Sequence, residues 1–126
     1  MSTILIVEDN EKNMKLVRDI LQHQGHTTLE AVTGGDGVRL ALERRPDLVL
    51  LDIQLPDIDG IAVLRQIRAE PALDATPVLA VSASVMPDEQ LKVVASGFDA
   101  FITKPIELKR FRETVQRFLA HGRARP

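Results

Sequence analysis

A chain of 126 residues is the size of one ordinary domain, with room for a full hydrophobic core. Its 16 basic and 18 acidic residues leave a net charge of −2, so the overall charge invites neither nucleic acid nor an anionic membrane. With no cysteine, the sequence excludes disulfides, thiolate chemistry and sulfur-ligated zinc or iron–sulfur centres.

Short strand-like apolar runs alternate with helical stripes, the pattern of βα units around a parallel sheet. Met1-Ser2-Thr3 leads directly into Ile4-Leu5-Ile6-Val7, and no apolar run reaches the ~18 residues of a membrane span. No signal peptide and a cytoplasmic location are expected. Asp9-Asn10 offers N-cap chemistry to a helix striped by Met14, Val17, Ile20 and Leu21, which Gly25 ends. His26 to Val32 reads as a second strand, polar enough for an edge. Thr33-Gly34-Gly35-Asp36-Gly37 opens a helix with Val38, Ala41 and Leu42 inward, stopped by Pro46.

Leu48 to Leu51 reads as a strand buried on both faces. The loop from Asp52 to Gly60 leads to a helix with Ile61, Leu64 and Ile67 inward, and Pro71 and Pro77 bracket the passage to Val78-Leu79-Ala80-Val81. Pro87 suits a first helical position ahead of Leu91, Val94 and Ala95, with Gly97 as the stop. A brief strand, Asp99 to Ile102, precedes a last helix striped by Leu108, Phe111, Val115, Phe118 and Leu119. Residues 1–121 are thus expected to form one domain and residues 122–126 a frayed tail, with no output domain expected.

Four of the apolar runs end on polar groups: Glu8-Asp9, Asp52, Ser82 and, after Phe101-Ile102-Thr103, Lys104-Pro105. As parallel neighbours they would set these groups along the carboxyl edge of the sheet, where open α/β sheets bind ligands. Three acids crowded together raise one another's pKa unless a cation joins them, and hard oxygen ligands in this number suit Mg²⁺. Asp52 could take a phosphoryl group as an acyl phosphate, with Lys104 and metal neutralising charge and Ser82 donating a hydrogen bond. Each motif alone also has a plainer reading. Asp9 or Asp52 could be a helix cap, Glu8 a solvated acid and Lys104 a surface lysine. The Lys104–Pro105 bond is a candidate for the cis form.

In this order, Glu8-Asp9-Asn10, Asp52-Ile53-Gln54-Leu55-Pro56-Asp57-Ile58-Asp59-Gly60, Ser82-Ala83 and Lys104-Pro105 resemble the receiver domain of two-component response regulators. The resemblance runs from Ile4 to about Leu119 and is nearest to stand-alone DivK-type single-domain regulators. It implies a doubly wound five-stranded parallel sheet in the order 2-1-3-4-5, a flavodoxin-like (βα)5 three-layer sandwich. It implies Asp52 as phosphoacceptor, and Mg²⁺ (or Mn²⁺ in its place) on Glu8, Asp9, Asp52 and the Gln54 backbone carbonyl. Lys104 would contact the phosphoryl group, with Ser82 and Phe101 as switch residues.

The implied partners are a histidine kinase or histidine phosphotransfer protein and a downstream protein target, with no direct nucleic acid and no membrane. The target would read the fourth helix, fifth strand and fifth helix, with Val85, Met86 and Ile106 as partner surface. The protein would be a monomer or weak dimer. It would not be an enzyme in the ordinary sense, although it would catalyse its own phosphorylation and dephosphorylation.

The competing readings are a phosphorylation-independent adaptor, an aspartyl-phosphate phosphatase and a flavin carrier. Gln54 stands where a phosphatase of that kind carries its acid/base aspartate, and Glu8-Asp9 would repel a flavin phosphate. His23, His26 and His121 share no metal-ligand spacing. Arg44-Arg45 suits a helix end, and Lys109, Arg110, Arg112 and Arg117 suit a solvated helix face.

Overall fold

The computed structural model describes residues 2–83 and 87–123, apart from the Glu89 side chain. β1 (Thr3–Val7), β2 (Thr27–Ala31), β3 (Leu48–Asp52), β4 (Val78–Ser82) and β5 (Ala100–Thr103) form one sheet. Every pairing is parallel and the order is β2-β1-β3-β4-β5, as expected. The helices are α1 (Glu11–His23), α2 (Gly34–Arg44), α3 (Gly60–Arg68), α4 (Pro87–Ala95) and α5 (Leu108–His121), with a 3-10 turn at Pro71–Leu73. Among the described residues no helix is long and apolar enough to cross a membrane.

Strand alternation divides the core into two layers. Leu5 and Val7 of β1, with Val49 and Leu51 of β3, face α2, α3 and α4, where Val38, Ala41, Val63, Leu64, Ile67 and Val93 meet them. Ile4, Ile6, Leu48 and Leu50 face the other way, onto Met14, Val17 and Leu21 of α1 and Phe111, Val115 and Phe118 of α5. Both faces are therefore apolar on β3, all five of whose residues are buried. Each such side chain contributes about 1.5–3 kcal/mol on leaving water, so β1, β3 and β4, almost wholly buried, firmly anchor three of the strand ends that carry the site.

The helix starts follow the capping chemistry. The Asn10 side chain accepts from the Asn13 N–H at 3.0 Å, Thr33 from Asp36 at 3.2 Å and Asp59 from Ile61 at 2.7 Å. Gly25 and Gly97 end α1 and α4 with φ of 90° and 115°, conformations that suit glycine.

Several inward assignments need correction. Leu42, expected in the core, is exposed, and Leu40 packs there instead. On α4, Leu91, Val94 and Ala95 all face outward, Leu91 at 70% exposure, while Val93 and the following Phe98 are buried. α4 carries apolar residues on several sides, so its stripe could not be read from spacing alone. Leu108 is half exposed. In α3, Val63 takes a fully buried place and Ile61 a partial one.

The C-terminal end also departs from expectation. Arg123, read as part of a frayed tail, ion-pairs with Asp99 at 3.0 Å and donates to the Asp74 carbonyl at 2.8 Å. Residues 124–126 lie outside the described residues.

Candidate metal and phosphoryl site

The strand register explains why the polar groups meet. Val7 lies beside Leu51, Asp52 beside Val81 and Ser82 beside Thr103, so the carboxyl ends of β1, β3, β4 and β5 finish together. Backbone bonds from Ile53 to the Val81 carbonyl (3.2 Å) and from Lys104 to the Ser82 carbonyl (2.9 Å) hold the chain on course just past the strands. Glu8, Asp52 and Ser82 are the buried polar residues among those described, while Asp9 is exposed at the rim.

One carboxylate oxygen from each of Glu8, Asp9 and Asp52 lies within 4.8 Å of the others. The Lys104 ammonium reaches over them, 2.9 Å from Glu8 Oε1 and 3.0 Å from Asp52 Oδ2. The other Asp52 oxygen, Oδ1, accepts from the Gln54 N–H at 2.8 Å, and Glu8 Oε2 accepts from Asn10 at 3.2 Å. The Lys104–Pro105 peptide bond is cis.

Charge in the cluster is unevenly compensated. Burial pushes the Glu8 carboxyl above its ordinary range; the Lys104 hydrogen bond opposes this, and proximity to Asp52 adds to the rise. For Lys104, burial alone would favour the neutral amine. Its bonds to Glu8 and Asp52 outweigh burial and hold it above the usual lysine value. A lysine fixed as a cation between two carboxylates, with a third beside them, leaves excess negative charge in oxygen ligands. That donor set fits a small divalent cation of the Mg²⁺ type.

The loop after β3 holds two features that sequence reasoning missed. Asp57 turns both carboxylate oxygens to α2, accepting from Gly34 at 2.8 Å and Gly35 at 3.0 Å. Those bonds hold its carboxyl below the usual aspartate range. Gly60 lets the loop return close to β3: a Cβ there would stand 2.6 Å from the Ile53 Cα. The only signal for either was a proline- and glycine-bearing loop. The partners of Asp57 lie 23 and 22 residues away, beyond any local pattern.

Phe101 is half-buried and packs toward the α4 side of the core. It lines a cleft of about 210 Å³ with Gln90, Thr103, Glu107, Arg110 and Thr114. Of the expected partner surface, Ile106 is partly buried and packs against the α1/α5 layer. Val85 and Met86 lie outside the described residues. His26 accepts from the Ser2 N–H at 3.3 Å, and no histidine joins the acidic cluster.

Comparison with known proteins agrees with this geometry. Residues 4–116 match the response regulator receiver domain family. The polar-differentiation response regulator DivK of Brucella anthropi is 41% identical over 117 residues, covering 93% of this chain and 95% of that protein. The receiver domain of the sensor histidine kinase PA1611 of Pseudomonas aeruginosa, solved with magnesium coordinated in its active-site cleft, superposes with a TM-score of 0.88 at 28% identity. That match covers 94% of this chain and 98% of the other. The chemotaxis response regulator CheY4 of Vibrio cholerae shares the fold, with a TM-score of 0.87 at 24% identity over 93% of this chain and 98% of its own. With five strands in this order, the acidic cluster at their carboxyl edge and a family match across most of its length, the chain belongs to the response regulator receiver family.

Proposed function

We propose that this protein is a single-domain response regulator of a phosphorelay, phosphorylated on Asp52 by a histidine kinase or histidine phosphotransfer protein. The observation that carries the reading is Lys104, bridging Glu8 and Asp52 at 2.9 and 3.0 Å inside a three-carboxylate cluster. The single-domain reading is supported by DivK relatives of nearly the same length.

In the reaction, an Asp52 carboxylate oxygen bonds to phosphorus as the P–N bond of a phosphohistidine breaks and the imidazole leaves. Glu8, Asp9, Asp52 and the Gln54 backbone carbonyl would hold Mg²⁺, which when bound supplies charge neutralisation for the phosphoryl oxygens. Lys104 is already poised over Asp52 and follows the charge onto the new group. Transfer and later hydrolysis are self-catalysed, without turnover of a separate substrate.

The readout is the α4–β5–α5 face. Ser82, buried at the end of β4, shifts toward the phosphoryl oxygens, and the Phe101 ring moves inward from the cleft it lines. Moving such a balance from 1:99 to 99:1 takes about 5.5 kcal/mol. A charge-assisted bond to Ser82, worth roughly 1.5–3 kcal/mol, is a sizeable share of that. Leu91 and Val94, exposed on α4, give the downstream protein apolar contact. The regulator acts in the cytoplasm as a monomer or weak dimer, without touching nucleic acid itself.

The test is incubation with a small-molecule phosphodonor, with and without Mg²⁺, beside Asp52→Asn. Metal-dependent phosphate that is stable to acid, labile to base and absent from the variant is expected. A folded protein that takes up phosphate neither from the small donor nor from a kinase would instead be a phosphorylation-independent adaptor.

A further inference from the structure

We propose that Asp57 is a positioning residue for the metal seat, clasping the amino terminus of α2 so that the loop bearing the Gln54 carbonyl is held in place. This rests on the receiver reading above. Residues 53–59 belong to no helix or strand, yet one of them is the backbone ligand that reading requires. At its start the loop is tied by the Gln54 N–H to Asp52 (2.8 Å), and at its end by the Gly60 N–H to the Ile53 carbonyl (3.2 Å). Both ties are internal to the loop and its own strand. They fix its shape more than its place over the site.

The loop's first residue is also tied to β4, the Ile53 N–H donating to the Val81 carbonyl at 3.2 Å, and past it the middle of the loop reaches another element through Asp57. Asp57 divides its two oxygens between the Gly34 and Gly35 N–H groups, at 2.8 and 3.0 Å, where the α2 dipole also favours an anion. A second observation comes from the other partner in the contact. A Cβ on Gly34 would stand 2.5 Å from Ile58 Cγ1 and 2.9 Å from Val63 Cγ2, so the bare glycine lets the loop seat against α2. Carboxylate and glycine thus act on the same approach from opposite sides. α2 is itself seated on β1, where a Cβ on Gly37 would come within 2.8 Å of Val7 Cγ2. The loop's position is therefore referred through α2 to the strand that carries Glu8 and Asp9.

The experiment titrates Mg²⁺ calorimetrically into wild type, Asp57→Ala, Asp57→Asn and Gly34→Ala, and reads each unfolding midpoint with and without Mg²⁺. Partners that orient metal ligands are typically worth ~10-fold or more in affinity, so Asp57→Ala should bind Mg²⁺ about 10-fold more weakly and gain less from it on heating. Asp57→Asn keeps one acceptor oxygen and should fall between. Gly34→Ala disturbs the seat without touching the carboxylate and should also weaken binding. A clasp that serves only the fold would lower the midpoint equally with and without Mg²⁺ and leave affinity unchanged, which overturns the proposal. If wild type itself takes no Mg²⁺, the metal seat fails and the clasp with it. If wild type binds and all three variants match it, only the clasp fails.

Discussion

At the carboxyl edge of the sheet one ammonium stands among three acids, and at the amino edge two guanidinium groups serve one. Lys104 bridges Glu8 and Asp52 while Asp9 stands beside them. At the opposite edge Asp99 takes Arg68 and Arg123, each at 3.0 Å, and the Val78 N–H at 2.8 Å. The arginines there also donate to carbonyls, Arg68 to Leu73 and Thr76 and Arg123 to Asp74. Burial of acids is common to both ends. They differ in the sign of what remains: the amino edge has cations in excess, spread over backbone carbonyls, and ties β4, β5 and the end of α5 together, whereas the carboxyl edge keeps negative charge that a cation can satisfy.

The two edges should therefore answer substitution with different signs. The largest effect is expected at the amino edge. Asp99→Ala strands two partly buried cations and strips the Val78 N–H of its acceptor, and should cost about 3 kcal/mol in urea denaturation. Mg²⁺ should not restore it. Lys104→Ala should cost less, about 2 kcal/mol, by leaving Glu8 and Asp52 facing each other. Here Mg²⁺ should recover most of the loss. If Mg²⁺ rescued both variants alike, the distinction between the edges would collapse.

Asp52→Asn reverses the sign. Removing one of several crowded like charges should stabilise the metal-free protein while abolishing phosphate uptake. A destabilised Asp52→Asn would mean that Lys104 alone balances the site.

The smallest effect concerns acid. Because the folded protein holds the Asp57 carboxyl below its ordinary value of 3.8, its contribution is present above that pH and lost as pH falls through the depressed value. Wild type should exceed Asp57→Ala in stability at neutral pH and converge with it in strong acid. A gap that stayed constant with pH would tie the effect to packing and not to the carboxylate.

What the sequence made legible follows from the range of the signal. Apolar runs ending on Glu8, Asp52, Ser82 and Lys104 are local, and a parallel sheet converts that local pattern into one edge. The β3 composition likewise announced burial on both faces. The α4 face was illegible because Leu91, Val93, Val94 and Ala95 offer competing stripes, and only docking on the sheet selects Val93. Asp57 and Asp99 were missed for another reason: their partners come from distant segments, and an acid in a loop looks the same whether solvated or clasped. Arg123 misled in the same way, since a Gly-Arg ending reads as loose until Asp99 is known to lie beneath it.

The most direct measurement is the thermal unfolding of wild type and Asp52→Asn across a Mg²⁺ titration. An under-neutralised carboxyl edge predicts that the variant is the more stable without metal, and that wild type gains more as Mg²⁺ rises, about 2.7 kcal/mol at a hundredfold excess over its Kd. Equal gains in the two proteins, or none in either, would contradict the claim that this edge carries an excess of negative charge suited to a cation.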